Sequence, residues 1–399
     1  MRGSPPISRH EAASDAPPEA AARPLPQGAR IPALTGVRAL AAFFIFFHHH
    51  QTSALVWGPL EIWWELHVGV TLFFVLSGFV ITWRYDRRGT VRESFWRGYF
   101  LNRFARIYPL YFVLVVPTML LFHERSPSVW LLNLTVFSSF NSGIPQAWSL
   151  RVEECFYLAA PLIFLLWRRN PILPLVAGLV VLVALVPVSL LPAATGVLGP
   201  PRDLFLYTFF GRFFEFYAGA WLAKRVARTG TDDVPRRFPI ATLGGALGIV
   251  ATVAALAAIH AATKARYTYG LYHPAGILLN NFVLPVFIAA FYWGLIRERS
   301  LARSLLSGRV ADLLGRSSYA FYLIHLGFLR DVILSKLVVL GGRLDPRAGA
   351  WTDAFLRTPL GLFVAVNLLA IFLYAAIEAP ANRLLRRTFS TQRRAESAA

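Results

Sequence analysis

The stretch TGVRALAAFFIFFHHH, residues 35–50, places one arginine and three adjacent histidines in an otherwise apolar segment. A guanidinium is a permanent cation that grips phosphate or carboxylate, and an imidazole titrates near neutrality and exchanges protons. In an α-helix each residue turns about 100°, so eleven steps bring a side chain back to within about 20° of its starting direction. Arg38 and His49 therefore share one helical face, with His49 roughly 16 Å further along the axis. His48 and His50 point elsewhere. Three successive histidines cannot converge on one metal from a helix, so no metal site is expected. An anion grip and a proton acceptor three turns apart suit a ligand charged at one end and reactive at the other, with an extended arm between.

Further charges sit where an apolar chain least tolerates them. Between Arg84 and Arg106 runs RYDRRGTVRESFWRGYFLNRFAR, in which Arg103 and Arg106, three residues apart, project from one side of a helix. Such a pair can clamp a phosphorylated ligand bidentately, or it can be ordinary positive charge at a cytoplasmic membrane edge. In AWSLRVEECFYL, Glu153 and Glu154 lie inside an apolar helix, where carboxylates are costly and serve a pathway, a partner or a proton transfer. Arg212 with Glu215 and Arg330 with Asp331 are read as locally satisfied structural pairs. His325, in GRSSYAFYLIH, is placed about two turns into its span, and Glu378 is read as an interface partner of Arg383.

The elements that position these groups follow from composition. Of 399 residues 56% are hydrophobic, 14% aromatic and only 15% charged, with mean hydropathy +0.51, which excludes an ordinary soluble domain. Runs of about 20 apolar residues recur, without the alternating ten-residue strands of a barrel. The expectation is an all-α polytopic bundle of about ten transmembrane helices, near 34–50, 67–83, 107–122, 149–167, 172–191, 205–223, 239–260, 276–296, 318–340 and 358–377. The segment from Ser128 to Phe140 is too short to cross and is read as re-entrant or interfacial. Ser77 and Gly78 in the second span allow close helix approach, and Trp57, Trp63 and Trp64 mark a membrane surface.

The net charge of +19 does not imply nucleic acid, because no basic-aromatic module is present to use it. With the amino terminus inside, 28 Lys/Arg fall on cytoplasmic segments and seven on outer ones, so both termini are expected in the cytoplasm of a multi-pass cell-membrane protein. Residues 1–33 and 386–399 are expected to be cytoplasmic tails, the first of them disordered, around a transmembrane domain over 34–385. A single cysteine, Cys155, allows neither an internal disulfide nor a cysteine metal cage.

Five pieces in order, the Arg-X10-His of Arg38 and His49, FFVLSGFVIT, RFARIYP, WSLRVEECFYL and SSYAFYLIH, resemble the integral-membrane acyltransferase-3 family over about residues 31–385. That family includes O-acyltransferases of O-antigen, peptidoglycan and macrolide sugars. The resemblance implies transfer from cytoplasmic acyl-CoA, acetyl-CoA being the simplest donor, to a hydroxyl of a carbohydrate or glycoside acceptor beside membrane lipid. It implies His49 as the catalytic histidine and Arg38, Arg103 and Arg106 as the family's arginines, here read as holding the donor's phosphates. Glu154 matches a recurrent acidic position and is taken as a second catalytic group. A transporter or flippase of a lipid-linked sugar would also use ten spans, but the paired broken helices of inverted repeats are not seen.

Overall fold

Long apolar runs with no water to satisfy their backbone are stable only as helices or closed barrels. The computed structural model describes residues 29–50, 62–86, 93–122, 124, 126–135, 144–192, 198–229 and 238–385, and these form helices with no β-strand. In chain order they are α1 Pro32–His49, α2 Gly69–Tyr85 with a 3₁₀ lead-in at Ile62–Val68, α3 Glu93–Leu121, α4 Pro127–Leu134, α5 Trp148–Arg169 and α6 Leu173–Val188. Then come α7 Pro201–Tyr207, α8 Phe209–Thr229, α9 Ile240–Thr263, α10 Pro274–Arg297, α11 Leu301–Leu306 and α12 Arg309–Ile324. Last are α13 Phe328–Leu344, α14 Pro346–Leu356 and α15 Pro359–Leu385.

The chain is an all-α polytopic bundle. The 3₁₀ lead-in with α2, together with α3, α9, α10 and α15, is long and apolar enough to cross a membrane on length and composition alone. The other expected spans exist as helices that fail that test for physical reasons. α6 is apolar but has 16 residues. α1, α5 and α8 carry Arg38, then Arg151, Glu153 and Glu154, then Arg212 and Glu215, and these charges depress their hydropathy.

Small residues set the closest packing, as expected where lipid is as apolar as the side chains. Gly78 of α2 lies against the backbone of Phe216 on α8, and Gly219 of α8 against the backbone of Val75 and Phe79. α1 and α12 run side by side in one direction. Gly315 meets the Thr35 backbone near their starts, and the His49 and His325 rings meet at their ends. This gives the bundle a basic end, with Arg30, Arg106 and Arg316, and a histidine end.

Several expectations change. The ninth span is not continuous over 318–340: α12 stops at Ile324, and Gly327, at φ 114°, turns the chain into a separate α13–α14 hairpin. Only glycine adopts that φ at little cost, and hydropathy does not register it. His325 consequently caps α12 instead of lying inside a span. The sixth span breaks at Thr208 between α7 and α8. The short α4 fits a non-crossing piece as far as the described residues reach. The two tails lie outside the described residues except for 29–33, where Pro32 already begins α1; Trp57 also lies outside them.

Because a Cβ at Gly219 would meet backbone, Gly219→Val should destabilise the detergent-solubilised protein by about 1–3 kcal/mol. Gly244, whose added Cβ would meet nothing within 4 Å, is the control. Thermal unfolding followed by fluorescence should show a lowered midpoint for Gly219→Val and an equal or slightly raised one for Gly244→Ala, since alanine suits a helix better than glycine.

Candidate active site

Three cavities lie in series along α1. The one at the basic end, about 470 Å³, is lined by six arginines, Arg30, Arg38, Arg84, Arg106, Arg316 and Arg383, against one carboxylate, Glu378. A central cavity of about 70 Å³ shares Arg38 and Arg106 with it and adds Arg103, Ser77, Glu153 and Tyr157. The third, about 230 Å³ at the histidine end, shares Val70 and Tyr322 with the central one and contains His48, His49 and His67. Arg38 and His49 thus lie on one connected series of cavity walls, as their common helical face requires.

The arginines differ in how they are held. Arg106 forms an ion pair with Glu378 and lies 5.4 Å from the Tyr319 ring centre. Arg103 donates to the Tyr85 hydroxyl at 3.3 Å and sits over the Tyr85 and Tyr157 rings at 5.4 and 5.5 Å. It makes no ion pair among the described residues. Arg38 has neither a hydrogen bond nor an ion pair to any described residue. Glu153 balances part of this charge, and it accepts hydrogen bonds from Ser77 and, at 2.5 Å, from Tyr157. The cradle is built for more negative charge than the protein supplies.

At the other end, hydrogen bonds fix the histidines around His49. His48 Nδ1 donates to the Trp64 carbonyl at 2.8 Å, and His325 Nδ1 to that of Tyr322 at 2.6 Å. His50 Nδ1 donates to the Phe46 carbonyl at 3.0 Å, which leaves its Nε2 to accept from Arg330 at 2.9 Å. Arg330 also donates to the His325 carbonyl and to Asp331, so this pair ties α13 to the end of α1. His49 makes no hydrogen bond among the described residues. It is exposed into the cavity, with the His48 ring at 4.7 Å and the His325 ring at 5.4 Å. One imidazole is left available by neighbours that are tied down.

A family model for an acyltransferase domain matches residues 31–376, which hold Arg38, Arg103, Arg106 and His49. This chain belongs to the acyltransferase-3 family. It is 29% identical over 397 residues to the acyltransferase MdmB of Streptomyces mycarofaciens, covering 91% of this chain and 94% of that protein. It is 31% identical over 182 residues to the peptidoglycan O-acetyltransferase OatA of Listeria monocytogenes, covering 37% and 27%. No solved structure matches. The chain is therefore a membrane enzyme that transfers acyl groups, and nothing supports the transporter reading.

In this acyltransferase, Arg38, Arg103 and Arg106 come together, and His49 occupies the adjoining cavity. Glu154 does not join them. It is buried against Tyr108 of α3, whereas Glu153, about 100° around α5, faces the arginines. Glu378 pairs with Arg106 rather than Arg383. His48, expected to point elsewhere, also lines the histidine-end cavity because the 3₁₀ lead-in folds over it. Sequence reasoning missed Arg30, Arg84, Arg316 and Arg383 as lining of the basic-end cavity, and Glu65 and His67 as a pair. The first four were legible only as positive charge on the inner side.

Glu153→Gln should lower acyl transfer by about 10²-fold, the scale of a positioned charge-assisted contact made in the reacting complex, while Glu154→Gln should retain most activity. Steady-state rates of the two purified variants check this.

Proposed function

We propose that this acyltransferase moves an acyl group from acyl-CoA, acetyl-CoA being the simplest donor, to a hydroxyl of a carbohydrate or glycoside acceptor. The observation that carries the reading is the excess of arginine over carboxylate at one end of a cavity series whose other end is His49. A coenzyme A ester has several phosphate charges at one end and a thioester at the other. Its phosphates fit the basic-end cavity with Arg38 and Arg106, and its arm runs past Arg103 toward His49. The basic end faces the cytoplasm in this reading, with both termini there, because 28 of the 40 Lys/Arg fall on that side.

The acceptor enters at the histidine end, where Trp148, Tyr207, Tyr269 and Tyr272 offer aromatic faces and polar tips. The similarity to a peptidoglycan O-acetyltransferase supports acyl transfer to a hydroxyl. His49 takes the proton as the hydroxyl oxygen attacks the thioester carbonyl. The new C–O bond forms and the C–S bond breaks. The proton then passes from His49 to the departing thiolate, leaving coenzyme A as the thiol. Glu153 holds Ser77, Tyr157 and the arginine cluster in place while the donor is bound.

Labelled acyl-CoA supplied to the purified protein with candidate glycosides should give acylated product. His49→Ala should lower transfer by about 10²–10⁴-fold, the usual contribution of a general base, without loss of folding or donor binding. Arg103→Ala should weaken acyl-CoA binding about tenfold or more, the worth of a charge-assisted hydrogen bond. A fully active His49→Ala protein, or unchanged acyl-CoA affinity in Arg103→Ala, contradicts the proposal.

A further inference from the structure

The histidine-end cavity holds a second imidazole whose surroundings resemble a working site more than a packed core. His67 sits in the 3₁₀ lead-in to α2 and lines the same cavity as His49. Its Nε2 lies 2.8 Å from Oε2 of Glu65, a carboxylate with no exposed surface. The other oxygen of Glu65 accepts the Gly270 backbone N–H at 2.7 Å. A carboxylate fixed on both oxygens orients the ring by accepting a hydrogen bond from its Nε2–H, which leaves Nδ1 as the imidazole's acceptor. Nδ1 has no partner among the described residues. The His48 ring neighbours both candidate groups, 4.7 Å from that of His49 and 5.5 Å from that of His67. The His49 and His67 ring centres are therefore no more than about 10 Å apart.

Two adjacent hydroxyls, each hydrogen-bonded to a ring at about 2.8 Å per bond, fit within that limit. We propose that His67, held by Glu65, binds a second hydroxyl of the acceptor while His49 takes the proton from the first, so the enzyme selects acceptors that present a neighbouring pair of hydroxyls. This rests on the acyl-acceptor reading above. His67 forms no bond to the acyl group; it sets which hydroxyl faces His49. Glu65 acts through His67 and is a positioning residue. A site built to hydrogen-bond a substrate hydroxyl discriminates strongly against the analogue that lacks it, because its own polar group is then left unpaired.

The test uses the full chain in detergent with labelled acetyl-CoA, a panel of methyl hexopyranosides and their matched monodeoxy analogues. The expected result is that the hydroxyl-pair acceptor exceeds its deoxy analogue by about tenfold or more in kcat/KM. His67→Phe should remove that preference by raising the KM of the hydroxyl-pair acceptor and not that of its deoxy analogue, while the acetyl-CoA affinity stays at the wild-type value. His67→Asn, which keeps an acceptor atom, and Glu65→Gln, which keeps the fold's contact with Gly270, should fall between. Equal use of both acceptors by the wild-type enzyme overturns the proposal, as does His67→Phe slowing both acceptors by the same factor. If His67→Phe does not fold, the wild-type preference and its partial loss in His67→Asn decide the matter. Acetylation of no hexopyranoside by the wild-type enzyme overturns the acceptor reading itself, and this inference with it.

Discussion

A guanidinium inside an apolar helix bundle must be neutralised, hydrated or set aside for a ligand, and Arg38 has no carboxylate of its own among the described residues. The surrounding structure is arranged around that cost. Arg106 is balanced by Glu378, Arg103 is cushioned by tyrosine rings and a hydroxyl, and Glu153 is fixed by Ser77 and Tyr157 where it offsets part of the cluster's charge. Of the six arginines lining the basic-end cavity, Arg30 and Arg316 pair with Asp312 and Arg106 with Glu378, which leaves Arg38, Arg84 and Arg383 without an ion pair among the described residues and the cavity with a net positive field. A low-dielectric wall strengthens such a field, and polyphosphate is the kind of ligand that repays the desolvation of its arginines.

The histidine end uses the opposite device. His48, His50 and His325 each give a ring proton to a carbonyl, and Arg330 binds across His50, Asp331 and the His325 backbone. Rings held in this way are fixed in orientation, and of the triple histidine only His49 has no hydrogen bond to a described residue. In the proposed mechanism, preorganisation of the neighbours rather than of His49 itself would leave that ring able to follow a proton from acceptor to leaving group. Gly327 has a part in this, because the turn it permits ends α12 beside His49 and sends Arg330 back toward the same cluster.

Much of this was legible in the chain. The eleven-residue spacing from Arg38 to His49 is a property of one rigid helix, so periodicity alone placed both on one side, and the arginine bias and apolar runs led to a helical bundle. What failed depended on contacts remote in sequence or on a local departure from α-helical geometry. Glu153 and Glu154 are equally unwelcome in an apolar helix, and only the position of α3 and α2 decides which of them faces Tyr108 and which the arginines. Glu378 finds Arg106 across 272 positions, a pairing that local charge spacing cannot anticipate. Glu65 and His67, two apart, do not neighbour each other on an α-helix, and they meet here in a 3₁₀ segment.

The central claim is that donor and acceptor reach one imidazole from opposite ends of the bundle. It is tested most directly by reconstituting the protein in one orientation in sealed vesicles and supplying labelled acyl-CoA and acceptor separately to each side. Product should form when acyl-CoA is on the arginine side and the acceptor on the histidine side, and not when the two are exchanged. Equal product from the exchanged arrangement would contradict it.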